Sequence, residues 1–143
     1  MNPVTRTMVQ SLSPKLLDVA EGIDDLFISS GCQSYVKTIY VGYQFGEEMV
    51  GALYPYADHL ELALALEVET TSRLLVDATH LTWKTMPVAA VLTNVNEMPE
   101  ASKLVANAVA RIKSGSHSVF RDSAYFQMAK AKRFSPRRRY DSK

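Results

Sequence analysis

Cysteine is nearly absent from this chain. Cys32 is the only one in 143 residues, which excludes a disulfide within the chain and the small secreted scaffolds that depend on cross-links. A lone thiol fits a reducing interior. Long apolar runs are missing too, so no membrane-spanning helix is expected. The opening Met1-Asn2-Pro3-Val4-Thr5-Arg6 has no apolar run behind its one basic residue and does not read as a secretory signal. These absences make the cytoplasm the expected location, with no membrane partner. Neither Gly-x-x-x-x-Gly-Lys nor Gly-x-Gly-x-x-Gly occurs, so nucleotide phosphate loops are excluded, and there is no Gly-x-Ser-x-Gly elbow for a serine hydrolase. The three histidines, His59, His80 and His117, are far apart, with no helical pair and no Cys-x-x-Cys partner. Neither a metal site nor a cofactor is expected from that spacing.

What is present reads as one globular domain. A chain that is 47% hydrophobic and 22% charged is ordinary for a folded protein, and at this length folding buries roughly two-thirds of the unfolded surface. The net charge of +1 hides an uneven distribution. From Lys130 onward seven basic side chains stand against Asp141 alone, which leaves nine basic and fourteen acidic side chains to the rest of the chain. The expected organisation is a loose arm over residues 1–12, a single α+β domain over 13–129 and a basic tail over 130–143.

Ser13-Pro14 reads as an N-cap followed by proline at the first helical position, where its missing N–H costs nothing. Leu16, Ala20, Ile23 and Phe27 then recur at helical spacing, with Asp18, Glu21 and Asp25 on another face, and Ser29-Ser30-Gly31 stops the helix. Residues 34–44 are rich in β-branched and aromatic types and predict one strand, with Tyr35, Ile39, Val41 and Tyr43 on one side and Tyr40 on the other. A second strand is expected over 49–54. Leu60, Leu62, Leu64, Leu66 and Val68 alternate with Glu61, Ala63, Ala65 and Glu67, the period of a sheet with one buried face. Residues 69–79 read as a loop and 81–92 as extended, Pro87 suggesting an edge strand or a bulge. Asn96 is the expected cap of a second helix, with Pro99 in its first turn, a stripe of Leu104, Val105, Ala108 and Ile112, and Ser114-Gly115 as its stop. A short third helix is expected near 123–132. The fold class that follows is a two-layer α+β domain: an antiparallel β-meander of three to four strands with an N-terminal and a C-terminal helix packed on its leucine face.

The run Lys37-Thr38-Ile39-Tyr40-Val41-Gly42-Tyr43, the pair Tyr54-Pro55 and the alternation from Leu60 to Leu66, set between two helices, resemble a small bacterial α+β domain of unknown function labelled a predicted transport protein domain. The likeness covers roughly residues 13–113. It implies the fold, and the family brings no settled activity. More loosely, the layout is similar to small α+β domains proposed as DNA-binding or iron-chaperone proteins. Such domains often carry basic residues after the first strand and before the leucine strand. Here Glu47, Glu48 and Asp58-His59 occupy those places, which counts against nucleic-acid binding by the hairpin face.

Five of the seven tyrosines fall between residues 35 and 56. With Ala63 and Ala65 they predict a sheet face of small and aromatic residues that could accept a ligand, a second subunit or the chain's own tail. Tyr40, Tyr54, Tyr56 and Trp83 are the candidate binding residues, although core filling is the commoner role of any one tyrosine. The leading expectation is a non-enzymatic binding module that takes a small apolar ligand or a protein partner and self-associates as a homodimer. The alternative is nucleic-acid binding by the tail, where Lys132, Arg133, Arg137, Arg138 and Arg139 are interleaved with Phe134 and Tyr140, a pattern suited to phosphate contact and base stacking. Its dull counterpart is a solubilising tail. A third reading is an undescribed enzyme in which Asp77 orients His80 beside a nucleophile brought from elsewhere, against which stands a polar loop leading into a strand.

Overall fold

The computed structural model describes residues 12–81 and 83–115. Helix α1, Pro14–Ser29, begins where the sequence places it. Ser13 caps it, its hydroxyl accepting from the Leu16 N–H at 3.3 Å, and Gly31, at φ 93°, turns the chain away at the far end. Strands β1 (Gln33–Val36), β2 (Val41–Phe45), β3 (Glu48–Pro55) and β4 (Leu60–Leu64) follow as an antiparallel meander. Strands β5 (Leu75–Asp77) and β6 (Val88–Leu92) extend it to a six-stranded sheet in the order β1-β2-β3-β4-β6-β5. A short helical turn, Val95–Glu97, leads into helix α2, Met98–Ser114.

The protein is therefore an α+β domain with an N-terminal and a C-terminal helix, α1 and α2, packed against an antiparallel sheet. Leu16, Val19, Ala20, Ile23 and Phe27 of α1 and Ala101, Leu104, Val105, Ala108, Val109 and Ile112 of α2 are buried with Leu60, Leu62 and Leu64 in one core. On this side of the sheet the Phe27 and Tyr43 rings stack with centroids 4.3 Å apart. The Tyr43 hydroxyl donates to Asp24 at 2.8 Å, which satisfies the one buried charged side chain among the described residues.

Several local expectations change. Residues 34–44 are two strands, because the Lys37 N–H donates to the Tyr40 carbonyl at 2.8 Å and closes a hairpin. Opposite Gly42 in the register, Tyr35 lies on the face away from the helices, whereas Tyr43 points at them. Tyr35 and Tyr43 are thus on opposite sides, and Tyr35 meets Tyr40 instead. A strand, β5, interrupts the loop expected over 69–79 and forms one edge of the sheet, β1 forming the other. Strand β6 lies between β4 and β5, and Pro87 sits just before it, where its carbonyl accepts from Ala78 N–H at 3.0 Å. Leu66 is buried and Val68 half-buried, beyond the end of β4. Asn96 does not cap α2: Glu97 holds that position without a side-chain cap bond, and the capping side chain is that of Asn94 one turn earlier, which accepts from Asn96 N–H at 2.8 Å at the start of the turn Val95–Glu97 while Glu97 accepts from Asn94 N–H at 3.3 Å. The third helix expected near 123–132, most of the arm over 1–12 and the tail over 130–143 lie outside the described residues, as do the five basic tail candidates.

Candidate functional site

The face of the sheet turned away from the helices starts with a row of small residues. Gly42, Ala52, Ala63 and Ala89 are successive cross-strand partners on β2, β3, β4 and β6. Such a row leaves space above it, and side chains from both directions reach over it. The Tyr35 ring, from β1, lies so close above Gly42 that a Cβ there would sit 2.4 Å from it. From the other direction comes the connection between β5 and β6, which contains a short helical turn, Thr79–Leu81. Its Trp83 donates its indole N–H to the Tyr54 hydroxyl on β3 at 2.8 Å, and its His80 bonds Glu61 on β4 at 2.7 Å. Under these side chains Ala52, Ala63 and Ala89 have no exposed surface. Of the two alanines of the expected open face, Ala63 lies in this row and Ala65 just beyond the end of β4, and neither has exposed surface.

What stays partly open is the aromatic rim. The Tyr40 ring packs 5.2 Å from Tyr54, 5.7 Å from Trp83 and 6.3 Å from Tyr35, the last two in edge-to-face geometry, the arrangements favoured by ring quadrupoles. The extra residue Val50 shifts the pairing between β2 and β3 and brings Met49 to this side, where the Tyr35 hydroxyl meets its sulfur. The Lys37 ammonium lies 5.7 Å from the Tyr35 ring centre, and Ile39 at the hairpin tip is 65% exposed. Burial pushes the Tyr35 phenol up to about 12, and the neighbouring Tyr40 and Tyr54 push the same way. Burial also raises Tyr54, against the hydrogen bond from Trp83, which lowers it.

Beside the rings is a chain of five polar residues. Tyr56 stacks on His59 with centroids 4.6 Å apart. His59 Nδ1 is 2.7 Å from Asp58 and its Nε2 3.1 Å from Glu61, whose other oxygen holds His80. The bond to Asp58 lifts His59 above the ordinary histidine value, burial pulls it down, and Glu61 lifts it further. Burial is the largest single influence on Glu61 and opposes its ionisation. The hydrogen bonds from His80 and His59, with their charges, outweigh it and hold the carboxyl below the usual range.

Of the residues singled out in the sequence, Tyr40, Tyr54 and Trp83 come together, and Tyr56 joins the adjoining polar chain. His80 and Asp77 take different partners: Asp77 accepts from the Thr79 N–H at 2.7 Å, while His80 bonds Glu61. The only thiol, Cys32, is buried, and burial pushes it up while Lys113 partly offsets the effect. Among the described residues no three His, Cys, Asp or Glu side chains are disposed to hold a metal ion, and no helix is long and apolar enough to cross a membrane. Sequence reasoning missed Glu61 as the shared centre, although His59 and Glu61, two apart on a strand, fall on one face by simple alternation. Comparison of the chain with family models, curated proteins and solved structures gives no match, so the likeness to the predicted transport protein domain rests on the sequence runs alone.

Proposed function

We propose that this protein is a non-enzymatic binding module that holds a small apolar or aromatic group against the rim formed by Tyr35, Tyr40, Tyr54 and Trp83. The observation that carries this reading is the partial exposure of Tyr35, Tyr40 and Trp83, three rings of one cluster, on the sheet face opposite the core. Core aromatics are sealed, as Phe27 and Tyr43 are. Rings fixed in place by their neighbours yet open on one side offer contact area at little cost in side-chain entropy, which is why Tyr and Trp dominate recognition surfaces. The hydrogen bond between Trp83 and Tyr54 supports the same reading, since it satisfies the polar atoms at the bottom of the cluster and leaves ring edges and faces for an apolar group. Self-association through bare alanines gains no support, because those side chains are covered within one chain.

Trp83 is the only tryptophan, so its fluorescence reports on the rim with no background from a second indole. Titration with an anilinonaphthalene sulfonate probe should change Trp83 emission saturably. Tyr40→Ala should weaken the probe's binding about tenfold or more, in keeping with the loss of one central aromatic contact. A flat titration, or binding indifferent to Tyr40→Ala in a variant with native circular dichroism, would refute the reading. Light scattering on the same samples tests the homodimer directly.

A further inference from the structure

His59 has a carboxylate at each end of its ring: Asp58 at 2.7 Å from Nδ1 and Glu61 at 3.1 Å from Nε2. A neutral imidazole has one N–H and one lone pair. In either neutral tautomer, one nitrogen lone pair therefore faces a carboxylate oxygen. Only the doubly protonated ring can donate to both, so this arrangement belongs to the imidazolium. His80 is different. It makes its bond to Glu61 through Nε2, and the neutral tautomer protonated there can donate just as well. The two histidines share one acceptor, but only the geometry of His59 requires a second proton.

Glu61 is the joint between two pieces of chain. His59 comes from the hairpin between β3 and β4. His80 comes from the helical turn three residues before Trp83. Glu61 is also the cross-strand partner of Tyr54, which accepts the Trp83 indole N–H. We propose that Asp58, His59, Glu61 and His80 form a proton-coupled clasp that holds the connection bearing Trp83 against the sheet. When His59 gives its proton to solvent, one of its two carboxylate contacts is lost. Where that contact is the one from Nε2, Glu61 is no longer tied to the β3–β4 hairpin and keeps only His80 of its two imidazole partners, so the seat of Trp83 loosens. Among the described residues, the ionisable groups facing His59 are Asp58 and Tyr56 from its own turn and Glu61 from β4, with His80 reached through Glu61. This deepens the preceding reading, because the thing regulated is the aromatic rim proposed there as a binding site.

The test uses the full chain without ligand. Nuclear magnetic resonance follows the His59 ring proton and the Trp83 indole N–H through the range where histidine titrates, from about pH 5 to about pH 9. The expected result is a single shared midpoint, accompanied by a red shift of Trp83 emission on the alkaline side. In His59→Gln the Trp83 signals should no longer respond to pH and should hold the alkaline position. Different midpoints for His59 and Trp83, a Trp83 unaffected by pH, or a response that survives His59→Gln would overturn the clasp. If His59→Gln fails to fold, the comparison of midpoints within the wild type still decides. A failed probe titration with intact pH coupling removes the binding reading and leaves the clasp; successful probe binding with an unresponsive Trp83 removes the clasp alone.

Discussion

Asp24 lies on the core side of α1 with 2% of its surface exposed, and the Tyr43 hydroxyl at 2.8 Å is what makes that burial tolerable. Burial, followed by the charge of Asp24, pushes the Tyr43 phenol well above the ordinary tyrosine range, which favours the protonated hydroxyl that donates to Asp24. Replacing Tyr43 with Phe leaves the ring stack with Phe27 in place but removes the donor. The expected cost is about 1–3 kcal/mol, the penalty of a buried acceptor left without its partner. Urea denaturation measures it, and a midpoint equal to that of the wild type would show that the bond contributes nothing. This interaction was not legible in the sequence. Helical spacing from Ala20 and Phe27 puts Asp24 on the apolar face of α1, but its donor, Tyr43 on β2, comes from 19 residues away, and no local pattern announces it. The pairing of His59 with Glu61 was legible in principle, because alternation alone puts both on one face. The arrival of His80, 19 residues from Glu61, was not.

Two glycines separate the two faces at the scale of elements. At Gly51 an added methyl would sit 2.6 Å from the Phe27 ring and 3.3 Å from the Ala63 carbonyl. Phe27 cannot yield, because it is fully buried and stacked on Tyr43. At Gly42 the obstacle is the far end of Tyr35, a half-exposed side chain on the edge strand that can swing away. Gly51→Ala should therefore lose about 1–3 kcal/mol by overpacking. Gly42→Ala should lose less, but should displace Tyr35 from the rim and alter Trp83 emission. Thermal unfolding and fluorescence on the two variants check both halves, and the reverse pattern would contradict the assignment of faces. Strong local signals were readable at this scale. Ser13-Pro14 and Gly115 mark helix ends by backbone chemistry alone, and Leu60, Leu62 and Leu64 mark an inside face by period. The turn between β1 and β2 was hidden because Lys37-Thr38-Ile39-Tyr40 contains no Gly, Pro, Asn or Asp to announce it. Strand β5 was hidden because three residues carry too little pattern to stand out from a polar loop.

At the scale of the whole molecule, no helix of α1's or α2's length covers the second face of the sheet among the described residues, and the connection that carries His80 and Trp83 lies over it. That covering should give stability a characteristic dependence on pH. His59 is raised in the folded state, so its contribution is complete below its unfolded value of about 6.5 and fades as pH rises through the folded value. Glu61 is lowered, so its contribution is complete above about 4.3 and fades as pH falls through its folded value. The difference in Tm between wild type and Glu61→Gln should be largest between roughly pH 4.3 and pH 6.5 and shrink on either side. A difference that grows above neutrality would contradict the ion-pair account. The covering itself could not be read from the sequence, because it depends on a contact between residues 29 positions apart, Tyr54 and Trp83, and no local period encodes it.

Everything proposed for function depends on Trp83 lying across the sheet on Tyr54 and Tyr40. Nuclear Overhauser spectra of the wild-type protein test that placement most directly. The indole N–H of Trp83 should show cross-peaks to ring protons of both tyrosines and exchange slowly with water. An indole in fast exchange with solvent, without a cross-peak to either ring, would contradict the account.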